Sequence, residues 1–100
     1  MVILRFKIRS KPDKSDEVMA ALAEIITPAR ATEGVVAFDI ARTLRDADSF
    51  IATAIYEDGA ALERQESLPE VHRVMAMLPE SLAAPPERTI FDAAVDPILV

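Results

Sequence analysis

At 100 residues the chain is near the common size of one domain and long enough to bury a core without staples, so one domain over 1–100 is expected. A formal charge of −6, with the 11 Lys and Arg scattered along the chain, disfavours a nucleic-acid backbone as partner. No Cys is present, which excludes disulfides, thiolate nucleophiles and Cys-based zinc or iron–sulfur sites, and the two glycines are too few for a Walker loop or a Gly-rich dinucleotide turn.

Val2 to Arg9 alternate, with Val2, Leu4, Phe6 and Ile8 on one side and Ile3, Arg5, Lys7 and Arg9 on the other, the pattern of a half-buried strand. The three basic residues interrupt any signal-peptide core, and no run approaches the roughly 18 to 20 apolar residues of a membrane span, so the expected location is the cytoplasm, with no membrane partner. Pro12 ends the strand. Asp13 is placed to cap a helix whose stripe is Val18, Leu22, Ile25 and Ala29 and which runs to about Thr32, with Pro28 loosening its last turn and Gly34 as a left-handed cap.

"VVAFDIART" and "SFIATAIYE" read as two strands of a hairpin across the polar "LRDAD". Val36, Phe38 and Ile40 are expected on one side of the first, Val35, Ala37 and Ala41 on the other. Asp58 can cap a short helix at 59–66, and the Ser67/Glu70 spacing reads as a capping box for a helix at 68–79 entered through Pro69. "RTIFDAAV" is the fourth strand, followed by the apolar tail "DPILV".

The order strand, helix, strand, strand, helix, strand is the α+β ferredoxin-like βαββαβ arrangement, a four-stranded antiparallel sheet with its helices on one face. Both sides of the second and third strands are largely apolar, so the uncovered face should meet a second copy of the chain in a homodimer. The tail Pro97 to Val100 is a candidate to pack on that copy.

On "KPDK" before the first helix, "TPARATEGV" at its end, "IYEDGAAL" at the exit of the third strand and "SLPEVHRV" at the last helix, the chain resembles the antibiotic biosynthesis monooxygenase (ABM) family, whose dimeric α/β barrels include quinol monooxygenases. The resemblance spans essentially the whole chain. It implies a pocket between sheet and helices for a flat aromatic or quinone-like ligand. It also implies oxygenation without metal or flavin, in which an electron-rich phenolic substrate, once deprotonated, itself reduces oxygen. No cofactor and no metal are therefore expected. Where the family often carries a His, this chain has Gln65, which cannot take a proton at neutral pH. The Asn, Trp and His set of haem-degrading relatives is incomplete, since Asn and Trp are both absent.

Expected catalytic residues are His72 and Tyr56, with Gln65, Phe38, Met75 and Arg42 as substrate contacts. The chain's one His borders the apolar stripe of the last helix and is the side chain that ordinarily exchanges a proton near neutral pH; a solvated, structural His72 is the competing reading. The one Tyr ends a strand, where a buried ring with a wet hydroxyl is the ordinary outcome; functionally, Tyr56 is a binder before it is a base. Met75 is equally at home as core filler, and Arg42 in a cross-strand or dimer ion pair. A lone His makes no metal site, and "RDADS" lacks the Gly and distal Glu of a calcium loop. Three functions stay open: a cofactor-independent monooxygenase of a quinol or polycyclic phenol, a non-catalytic dimer that binds a small hydrophobic metabolite, and an isomerase on the same fold.

Overall fold

The computed structural model describes residues 1–94. Strand β1 (Val2–Arg9) leads through a single 3₁₀ turn (Pro12–Lys14) into helix α1 (Ser15–Arg30). Strands β2 (Val35–Arg42) and β3 (Ser49–Tyr56), helices α2 (Gly59–Glu66) and α3 (Pro69–Ser81), and strand β4 (Glu87–Asp92) complete the order. The strands form one antiparallel sheet in the order β2-β3-β1-β4, the ferredoxin-like arrangement expected from the order of elements. The last residue of the expected fourth strand, Val95, and the tail Pro97 to Val100 lie outside the described residues.

The core lies between the sheet and α1 and α3. Leu4 and Ile8 of β1, Phe38 of β2 and Phe50, Ala54 and Tyr56 of β3 meet Val18, Leu22, Ile25 and Ala29 of α1 and Val71, Val74 and Leu78 of α3. The helical spacings of three and four and the strand spacing of two put each set on a single face, so both periodicities converge on one buried layer.

Four local expectations differ from what forms. Asp13 lies within the 3₁₀ turn, and α1 starts from Lys14 without a side-chain cap. The hydroxyl of Ser15 at its first turn is engaged elsewhere: it donates to Asp48 Oδ1 at 2.5 Å and shares a 2.6 Å hydrogen bond with Ser10 Oγ, tying the β2–β3 loop to the end of β1. Ser67 is the C-cap of α2, its hydroxyl donating to the Glu63 carbonyl, so no capping box forms and α3 opens directly at Pro69.

Gly34 is left-handed (φ 85°), but it sits in the turn closed by Val35 N–H to the Thr32 carbonyl, beyond the Ala31 C-cap. Finally, a bulge between Val35 and Ala37 in β2 puts Val35 opposite Tyr56 and leaves Val36 exposed, so Val35 rather than Val36 shares the face of Phe38 and Ile40. One inserted residue reverses the alternation on its N-terminal side.

The hairpin tip is polar, as expected. Asp46 accepts from the Asp48 N–H and from Ser49 Oγ, and these bonds, helped by Arg9 and Lys7, hold its carboxyl below the usual carboxylate range.

Candidate functional site

A cavity of about 390 Å³ lies between the sheet and the helices. This is within the roughly 300–1,000 Å³ of small-molecule sites. It exists because of a small residue on a central strand: in register, Ala52 of β3 stands between Phe6 of β1 and Ile40 of β2, and its methyl leaves the floor low. Leu22 and Ile25 of α1 and Val71 and Met75 of α3 form the roof, and Phe38 closes the β2 side. Such walls suit a flat apolar ring.

Among the described residues, four polar side chains line the cavity: Gln65, Glu66, His72 and Arg88. Gln65, 3% exposed, lies at the end of α2, which Asp58 starts by accepting the Ala61 N–H at 2.9 Å. Its Oε1 accepts from the hydroxyl of Tyr56, which is 0% exposed, at 2.5 Å. With the carbonyl oxygen engaged, the amide NH₂ is the part of Gln65 left to offer a donor to the cavity it lines. Burial, reinforced by the Glu66 carboxylate and partly opposed by Arg88, holds the Tyr56 hydroxyl well above the usual phenol range. Tyr56 therefore stays a neutral donor.

Glu66 and Arg88 also line the cavity, joined by an ion pair at 2.5 Å. His72 lines it from the first turn of α3 while remaining exposed, a rim position open to both cavity and water.

Of the six residues expected from the sequence, Gln65, Phe38, Met75 and His72 line this cavity. Tyr56 does not; it stands behind Gln65 and reaches the cavity only through that side chain. Arg42 is displaced to a separate hollow beside Met19 and Phe50, where it stacks on the Phe50 ring at 5.1 Å and pairs with Asp16 at 3.9 Å. It lies one pleat past Ile40, at the far end of β2. Arg88, Glu66 and Ala52 were not anticipated. Arg88 shares the parity of Ile90 on β4 and pairs with Phe6, a signal that would have placed it on the helix side had β4 been given a register. Among the described residues, no group of three or more His, Asp or Glu is arranged to hold a metal ion, and no helix is long and apolar enough to cross a membrane.

A profile of the family described as "Antibiotic biosynthesis monooxygenase" matches residues 1–77, every element from β1 into α3. The chain belongs to this family. Among its relatives, the uncharacterized protein sll1783 of Synechocystis sp. is 27% identical over 93 residues, which cover 93% of this chain but 63% of the relative, so the chain spans less than two thirds of that protein. YcnE of Bacillus subtilis, provisionally named a monooxygenase, is 25% identical over 85 residues, covering 85% of this chain and 90% of YcnE. The structure of Rv0793 from Mycobacterium tuberculosis superposes with a TM-score of 0.87 at 22% identity, covering 95% of this chain and 96% of that one, a likeness of fold. Within the ABM fold, the cavity over Ala52 is where the two layers fail to close.

Proposed function

We propose that this ABM-family protein is a cofactor-independent monooxygenase that binds a quinol or polycyclic phenol in the cavity between sheet and helices. The observation that carries the reading is the cavity itself, walled mostly by apolar side chains, with Gln65, His72 and the Glu66–Arg88 ion pair as its polar lining. A fused ring lies against Phe38, Ile40 and Met75 with its oxygen at these polar groups. The Gln65 amide, oriented from behind by Tyr56, donates to the oxygen; His72 at the rim removes the phenolic proton; and the Arg88 guanidinium favours the resulting anion.

The electron balance needs no external reductant. When a naphthoquinol becomes a hydroxynaphthoquinone, one oxygen atom enters the ring and the other leaves as water with two substrate hydrogens. All four electrons that reduce dioxygen come from the substrate, so the protein's part is to bind it, take a proton and steady the anion.

A second copy of the chain on the open sheet face belongs to the same reading. There Phe91, Ile3, Ile55 and Ala37 form one apolar row across all four strands, and Phe91 is 51% exposed. A row of that kind is a natural contact for its own copy across a two-fold axis.

The test is oxygen uptake by purified protein offered reduced naphthoquinols and anthrols, with autoxidation subtracted. Uptake well above autoxidation supports the oxygenase. Quinone binding without uptake would point instead to a binding protein in which Gln65 is a ligand contact alone.

A further inference from the structure

A second hollow, about 520 Å³ and more open, runs alongside the first. It is bounded by the end of α3 (Leu78, Pro79), by Leu82 and by the loop 83–86, and among the described residues its lining side chains are all apolar. Phe6 and Met75 line both spaces, so two side chains form the partition between them. Met75 is 40% exposed and is an unbranched thioether able to change rotamer at little cost.

The outer wall is held in place. Ala83 N–H donates to the Arg9 carbonyl at 2.8 Å, Lys11 N–H donates to the Ser81 carbonyl at 2.8 Å, and Ser10 bridges to Leu82, so the loop is stitched to the end of β1. Pro85 and Pro86 stiffen the chain on its way into β4. A groove that is preformed and wholly apolar needs no ordering before it receives an apolar chain.

We propose that the ligand is amphipathic, an aromatic ring bearing an aliphatic side chain, with the ring in the inner cavity and the chain passing Phe6 and Met75 into the groove along Leu82 and Ala84. The inference rests on the inner cavity being a ring-binding site and adds the class of substituent the ring carries. The inner space with its polar side chains and the outer space with its apolar ones match the two halves of such a molecule, and the shared partition supplies the continuity.

Calorimetric titration of the protein with naphthoquinone, unsubstituted or carrying a methyl, butyl or hexyl chain on the quinone ring, tests it. Affinity should rise about two- to fourfold for each added methylene, the upper figure being that of a fully buried one. Ala84 is exposed, so Ala84→Glu should fold normally. This variant should flatten the dependence on chain length while leaving the affinity for unsubstituted naphthoquinone unchanged. Equal affinity across the series, or a gain that survives Ala84→Glu, overturns the inference while ring binding stands. Failure of every member to bind takes down the reading of the inner cavity as well.

Discussion

The hydroxyl of Tyr56 at the end of β3 donates to Gln65 Oε1 in α2 across 2.5 Å, and both side chains are buried. That bond sets which end of the Gln65 amide faces the cavity. Removing the hydroxyl with Tyr56→Phe leaves a buried carbonyl oxygen without its donor, at a cost of about 1–3 kcal/mol. The expected outcome is a lower denaturation midpoint together with a raised KM, read by urea titration and steady-state kinetics.

The same tyrosine gives a dependence on alkaline pH. Its folded pKa lies above the unfolded value of about 10, so the folded protein holds the phenolic proton where the unfolded chain releases it. The stabilisation is complete below about pH 10 and is lost as pH rises above it, by up to about 1.4 kcal/mol per unit. Because Tyr56 is the chain's one tyrosine, the tyrosinate absorbance should appear only as the protein unfolds, and Tyr56→Phe should shed this alkaline loss.

In the proposed mechanism His72, at the cavity rim, takes the phenolic proton. His72→Ala should reduce kcat/KM by about 10²-fold or more, with little change in stability because the side chain is exposed. Added imidazole should restore part of the rate. Unchanged turnover would assign deprotonation to the acidity of the substrate alone.

Gly34 couples the α1–β2 turn to α2. A Cβ there would stand 2.6 Å from Ala61 Cβ and 3.0 Å from an Arg64 guanidinium nitrogen, on a backbone with φ 85°. Gly34→Ala should destabilise the fold by at least the roughly 1–2 kcal/mol of a left-handed non-glycine residue. By pushing on α2 it should also weaken ligand binding through Gln65, which calorimetry would register.

Much of the architecture was legible in the residues. The alternation in β1, the stripe Val18, Leu22, Ile25 and Ala29, and the Asp58 cap are local patterns that the folded chain keeps. Some of what escaped was decided close by, as where Ser67 closes α2 on the Glu63 carbonyl instead of opening α3, and the rest depends on partners distant in sequence. The Val36 bulge is visible only once β2 is laid against β3, and the Ser15 hydroxyl is diverted by Asp48, 33 residues away. The site divides in the same way. Phe38, Met75 and His72 stand out by type and helix or strand phase, and Gln65 by the family position it occupies, whereas the cavity floor arises from Ala52 between Phe6 and Ile40, three residues on three strands. Arg42 and Arg88 look alike as isolated strand arginines, and register alone decides that Arg88 meets the cavity and Arg42 does not.

If the cavity above Ala52 brings a phenolic ring and dioxygen together, filling it must stop oxygen transfer. The most direct test is turnover of a reduced naphthoquinol under isotopically labelled dioxygen, comparing the native protein with Ala52→Phe, whose ring would fill the cavity from the floor. One labelled oxygen atom should enter the product at a rate well above autoxidation, and this should be lost in an Ala52→Phe protein that retains its circular dichroism. Incorporation no faster than autoxidation, or equal in the two proteins, would contradict a cavity-bound oxygenation.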